Sequence, residues 1–213
     1  GVTGVGSVSI FRLVNSNWEL LNFIQPNTDV KEEYLSDVSI LNGRLYISSK
    51  YYKNRSGVVY VYEWNSTTSS WDKLSTKLEP AVAIVGQGFG AAVKAIGNRI
   101  FVSAPSYSTD VAGLNNAGAV YVFELNNNVY TQKQILVSSQ DVKAGLAFGT
   151  SLDFDGKTLA VGAPMSSNTG TGFVEFYINR RLQYSITGTA NAYNDALGPF
   201  FKAGAYGYYG NNS

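Results

Sequence analysis

The stretch GLAFGTSLDFDGKTLAVGAP, Gly145 to Pro164, holds a Phe-Gly step, an acidic turn and a Gly-Ala-Pro. It reads in three ways: a metal loop, a phosphate loop, or one unit of a repeat. The phosphate reading needs a helix whose N-terminus holds the anion. An apolar run of strand character follows the turn instead, and the same holds for GQGFG at Gly86 to Gly90. The metal reading needs more acids than the turn supplies. The repeat reading is therefore tested along the whole chain.

It succeeds. A strand-like motif recurs as GSVSIF at Gly6, GVVYVY at Gly57, GAVYVF at Gly118 and GFVEFY at Gly172, at intervals of 51, 61 and 54 residues. Small or apolar residues alternate with aromatics in each copy, as in a half-buried strand. Each copy runs through an Asn-containing turn into a second strand, and Trp18 and Trp71 follow the turn, with Tyr130 and Tyr184 in the same region of the later copies. Asn tolerates the left-handed backbone of such turns. Two more strands precede the later motifs, joined at Asn42-Gly43, Gly97-Asn98 and Asp155-Gly156. Each complete repeat is thus four short strands, the make-up of a propeller blade. Approximate repeats are 1–30 (half a blade), 31–80, 86–140, 145–190 and 198–213 (the start of another), so fifteen strands are expected in one all-β domain, 1–213.

These repeats resemble the FG-GAP family and, more distantly, the propeller of integrin α-chains. The resemblance rests on Phe89-Gly90 with Ser103-Ala104-Pro105, on Phe148-Gly149 with Gly162-Ala163-Pro164, and on the GVVYVY and GAVYVF strands. The repeat at 31–80 departs from the pattern, with Tyr34-Leu35 in place of Phe-Gly. The resemblance implies a β-propeller of four-stranded blades, either four blades or part of a larger ring. The expected role is a non-catalytic module at the cell exterior or a particle surface. It would bind a protein or glycan ligand, other copies, or the remainder of a longer chain. The chain begins Gly-Val-Thr-Gly without Met, as an excised piece would. Within this reading, Gly149 allows close backbone approach, Gly162-Ala163 keeps the strand thin between blades, and Pro164 ends the strand.

Composition agrees with a binding module. There is no His and no Cys, so the commonest general base, the commonest transition-metal ligand and thiolate chemistry are all missing. Net charge is +1 with no basic block, which argues against nucleic acid as a partner. No apolar run is long enough to insert in a membrane as a helix. Glu32, Glu33 and Asp37 are carboxylates that nothing in the sequence gathers across a cleft.

Four sets of residues are candidates for function. Tyr51, Tyr52 and Tyr107 fall on loops between second and third strands, where aromatic faces suit sugar or protein contacts. Integrin-type blades often carry a calcium loop, which would place Asp153 and Asp155 as ligands here. Calcium takes six to eight oxygens, and the equivalent turns carry Arg44 and Arg99, so an Asp-Gly hairpin turn is the preferred reading and no cofactor is expected. Asn54, Asn65 and Asn211 head N-x-Ser/Thr sequons that a secretory pathway would glycosylate. Finally, GPFFKAGAYGYY is similar to a strand of jelly-roll alginate lyases, which would make Lys202 and Tyr206 catalytic. Those enzymes also use Arg- and His-bearing strands that have no match here, and the segment falls where the next repeat should start. A structural role in a larger particle or filament is the alternative to binding.

Overall fold

A computed structural model describes residues 6–25, 35–108, 115–139, 144–166, 171–178 and 181–189. The described chain is all-β, with four antiparallel sheets, each a meander in sequence order. Val8–Val14 (β1) and Asn17–Ile24 (β2) form a two-stranded sheet. The second sheet is Asp37–Leu41 (β3), Arg44–Ser49 (β4), Val58–Asn65 (β5) and Ser70–Leu78 (β6). The third is Val93–Ile96 (β7), Arg99–Ala104 (β8), Ala119–Asn126 (β9) and Val129–Leu136 (β10). The fourth is Ser151–Phe154 (β11), Thr158–Ser166 (β12), Thr171–Ile178 (β13) and Arg181–Thr189 (β14). The fifteenth expected strand, in 198–213, lies outside the described residues. The only helical segment among them is the single turn Tyr52–Arg55 (α1).

Alternation explains how the sheets stack. A strand with apolar residues at both parities must bury both faces. On β5, Val58, Tyr60 and Tyr62 join Val8 and Ile24 of the first sheet, while Val59 and Val61 join Tyr121 and Phe123 of the third. On β9 the division repeats: Ala119, Tyr121 and Phe123 face the second sheet, and Val120 and Val122 pack with Phe154, Val161 and Phe173 of the fourth. Three apolar cores thus lie between four successive sheets.

Neighbouring sheets are also stitched at their first strands. The edge strand β7 pairs only with β8, so its outward N–H groups need other acceptors. Val93 N–H donates to Asp37 Oδ2 (2.8 Å) and Ala95 N–H to Ser39 Oγ (3.0 Å), both on β3. Lys94 Nζ then reaches Asp153 Oδ1 on β11 at 2.7 Å. Two isolated parallel bridges, Gly57 with Phe89 and Gly118 with Phe148, tie the start of each third strand to the segment that opens the next sheet.

Every outer hairpin carries an irregularity opposite the same part of its third strand. The register shifts at Ile10/Phe11, at Tyr60/Tyr62, between Gln132 and Gln134 opposite Val122/Phe123, and at Phe176/Tyr177. Such bulges bend the outer strand and raise its twist. Pro164 does not end its strand: β12 runs on to Ser166, with the register shifting between Ala163 and Ser166 to pass the residue that cannot donate. Gly149 is approached closely, its would-be Cβ falling 2.9 Å from the Ala119 carbonyl oxygen. The crowding at Gly162 instead comes from Ser151 Oγ in the same sheet.

Candidate functional site

The loop from β4 to β5 is built on an unusual backbone. Lys53, Asn54 and Arg55 all have positive φ (46°, 56° and 65°). Non-glycine residues adopt this region at a cost of about 1–2 kcal/mol each, so the surroundings must hold them there. Ser56 is buried, and its Oγ donates to the carbonyls of Lys53 (2.9 Å) and Tyr52 (3.3 Å). The Asn54 and Arg55 carbonyls accept from Gly86 N–H (3.1 Å) and Gly88 N–H (2.8 Å) of the segment leading to the third sheet. The loop is therefore clamped from two sheets.

This backbone presents an aromatic row flanked by cations. Tyr51 is 40% exposed, with Lys50 Nζ 5.2 Å and Arg55 Cζ 5.6 Å from its ring centre. Lys53 and Lys77 stand over Tyr52 at 5.2 and 5.4 Å, and Lys73 over Tyr60 at 3.8 Å. Tyr52 and Tyr60 meet edge to face at 6.2 Å. These distances are within the range of cation–π attraction, which fixes each cation over a ring while its N–H donors stay available to an anion. Of the five cations, only Lys77 is in an ion pair with a described carboxylate, Glu79 at 3.1 Å.

The three tyrosines singled out in the sequence are not equivalent. Tyr51 is the exposed one. Tyr52 is half-buried against the core between the first and second sheets. Tyr107, on the corresponding loop of the third sheet, packs on the next core and meets Tyr121 edge to face at 6.2 Å. The cations around Tyr51 and Tyr52 were legible only in part. Lys50, Lys53 and Arg55 are local, whereas Lys73 and Lys77 come from β6 through strand pairing.

Asp153 and Asp155 have other engagements. Asp153 pairs with Lys94, and this contact, aided by the Phe154 N–H, holds its carboxyl below the ordinary range. Asp155 Oδ1 accepts from Thr158 N–H (2.6 Å) and Lys157 N–H (2.8 Å), which depress its pKa and close the Asp-Gly turn. No cluster of three or more metal-ligating acids occurs among the described residues.

Asn54 is exposed. Asn65 spends its side chain locally: Oδ1 accepts from the N–H of Thr67 (3.0 Å) and Thr68 (3.3 Å), and Nδ2 donates to Asp72 (2.8 Å). Asn211, Lys202, Tyr206, Glu32 and Glu33 lie outside the described residues. Asp37 is taken by the Val93 N–H. In the Gly86–Gly90 stretch, Gln87 is buried and its Oε1 accepts from Tyr121 OH at 2.7 Å, a core contact. A crevice between the third and fourth sheets, lined by Phe101, Phe154 and Tyr177 among others, has space for about one water molecule. No protein-family model and no curated protein matches the chain significantly.

Proposed function

We propose that this chain is a non-catalytic binding module of β-propeller type, built from FG-GAP-like blades, that acts at the cell exterior or a particle surface. Its ligand is an acid-bearing glycan or an acidic protein segment. The observation that carries the reading is Tyr51, exposed between Lys50 and Arg55 on a clamped loop. A flat ring supplies apolar contact, the guanidinium binds a carboxylate or sulfate in a fork, and the lysines add charge without directional demand. The loop is ordered before a ligand arrives, so little conformational entropy is lost on binding.

The propeller reading draws on three four-stranded meanders whose first strands adjoin in sequence order, with a half-unit before them. The absence of His and Cys from the chain favours binding over turnover. The test is binding of a uronate or sulfated polysaccharide beside its neutral counterpart, with Tyr51→Ala and Arg55→Ala. Expected are selective, salt-sensitive binding of the charged polymer and its loss in both variants. Equal binding of the neutral polymer, or retention in both variants, overturns the site; cleavage of the polymer overturns the non-catalytic role.

A further inference from the structure

The stretch PAVAIV, from Pro80 to Val85, joins the second sheet to the third without one polar side chain. Its ends are fixed. Pro80 and Gln87 are buried, and Ala81 N–H donates to Gln132 Oε1 on β10 at 2.9 Å. Gly86 and Gly88 N–H donate to the carbonyls of Asn54 and Arg55 in the β4–β5 loop. Between these anchors the side chains stand in water: Ala81 and Ala83 are exposed, and Val82 and Val85 are each 73% exposed. No other large apolar residue among those described is as exposed as these two. A run of exposed apolar residues is unfavourable in a surface loop unless something uses it.

The connection itself does not call for aliphatic residues. Gly145 repeats Gly86: both have positive φ (78° and 84°), and both donate their N–H to a carbonyl in the preceding sheet's loop, that of Asn115 and that of Asn54. Counted back from these glycines, 81–85 corresponds to 140–144, which reads QDVKA, an amide and two charges among five residues. The apolar run at 81–85 therefore answers to something other than the fold. Its position suggests what. The hydrogen bond from Gly86 sets the peptide that joins Val85 to Gly86 against Asn54, so the run borders the loop that carries Lys50, Tyr51, Lys53 and Arg55. Neither of these lysines, nor Arg55, is in an ion pair with a described carboxylate.

We propose that 81–85 is the apolar half of the Tyr51 site, and that the ligand is an acidic protein segment with an aliphatic side chain beside its carboxylates. The inference rests on the reading of the Tyr51 loop as an anion site and narrows its ligand. Arg55 takes a carboxylate in a fork, Lys50 and Lys53 add charge, and the aliphatic side chain covers Val82 and Val85. An acidic glycan has the charges but is clothed in hydroxyls, which lose water against valine without gaining a hydrogen bond. A bilayer is the poorer occupant as well. Two valine side chains offer less apolar length than one myristoyl chain, which by itself holds a membrane only marginally. Both loops are anchored before the ligand arrives, which limits the entropy lost on binding.

The test compares two synthetic peptides of equal charge, repeats of Glu-Glu-Leu-Ser and repeats of Glu-Glu-Ser-Ser, by fluorescence anisotropy. The proteins are the full chain, a double variant with Val82→Ser and Val85→Ser, and Arg55→Ala. Wild type is expected to bind the leucine peptide about tenfold more tightly, roughly the effect of burying one aliphatic side chain. The double variant is expected to lose that preference yet keep the weaker, salt-sensitive binding of the serine peptide, and Arg55→Ala to weaken both. Equal binding of the two peptides by wild type, lost in Arg55→Ala, overturns the inference and leaves the anion site standing. Binding of neither peptide overturns it too, and binding of a uronate or sulfated polysaccharide then decides whether the anion site falls with it. A leucine preference that survives in the double variant removes the valines from the site. Capture of phosphatidylserine-containing vesicles by wild type but not by the double variant, with no preference between peptides, overturns the inference in favour of a membrane. Urea denaturation of the double variant should match wild type; a marked loss of stability would show that the chain itself uses the valines, and would overturn their role in binding.

Discussion

The backbone of Phe89 occupies the space where a Cβ on Gly57 would stand, its carbonyl oxygen and carbonyl carbon both inside contact distance. Gly57 opens the third strand of one sheet and Phe89 opens the next sheet, 32 residues on, and a parallel bridge joins them. Gly118 and Phe148 repeat the relationship one unit later. At these two positions the motif glycine is therefore a junction between sheets. No side chain is tolerated because backbone, which cannot rotate away, fills the site.

Substitution separates this crowding from backbone strain. Gly43 has a φ of +74° but open space around its would-be Cβ, so Gly43→Ala is expected to cost about 1–2 kcal/mol from strain alone. Gly57→Ala has φ of +81° and the overlap as well, and overpacking adds roughly 1–3 kcal/mol. Urea denaturation of the two variants checks the order. Equal costs would show that the junction yields without penalty.

Glu175 is a fully buried acid at the position held by Tyr60 and Tyr121 in the earlier repeats. It accepts from Ser138 Oγ (2.7 Å), Ser139 N–H (3.1 Å), Ser139 Oγ (3.3 Å) and Tyr177 OH. A buried carboxylate persists only with such a set of donors. Glu175→Gln turns an amide NH2 toward groups that also donate, at an expected cost of about 2–3 kcal/mol; Tyr177→Phe removes one donor of several and should cost about 1 kcal/mol. Thermal denaturation ranks them, and the reverse order would contradict this account.

Tyr51 and Tyr52 are adjacent but differ in what they support. Tyr51→Ser is expected to leave stability within about 0.5 kcal/mol of wild type, as for most surface changes. Tyr52→Ser removes a ring packed against Tyr60 and the first core, with an expected loss of about 2 kcal/mol or more. A marked loss for Tyr51→Ser would show that the exposed ring serves the fold instead of a ligand.

Alkaline pH should unfold the chain in a tyrosine-linked step. Burial is the main cause that pushes the phenols of Tyr46, Tyr121 and Tyr177 far above the ordinary 10.0; the hydrogen bond between Tyr46 and Tyr130, and the one that Tyr177 donates to Glu175, add to it. A folded-state pKa above the unfolded one means that the unfolded chain releases the proton first. Stability from these groups is therefore complete below pH 10 and lost as pH rises beyond it. Tyrosinate absorbance and far-UV circular dichroism, recorded together, should show at least these three of the fifteen tyrosines ionising only as the sheets are lost. Ionisation of all fifteen near pH 10 with unchanged ellipticity would contradict the assignment.

The amino-acid sequence by itself determined the strand content, the hairpin turns and the repetition. Alternation in GVVYVY and GAVYVF, and Asn or Gly at the turns, act between near neighbours, so their consequences are local and readable. The alternation suggested half-buried strands, whereas β5 and β9 bury both parities, because both parities are apolar and a sheet packs on each face. Only the tertiary structure decided which face meets which sheet. It brought Lys73 and Lys77 over the rings of Tyr60 and Tyr52, laid Tyr46 on Tyr130, and turned Ser138 and Ser139 to Glu175. It also left Tyr51 in water while packing Tyr52 and Tyr107 onto cores. These outcomes depend on strand pairing and sheet stacking between residues far apart in the chain. A period of two residues specifies a face but not its partner.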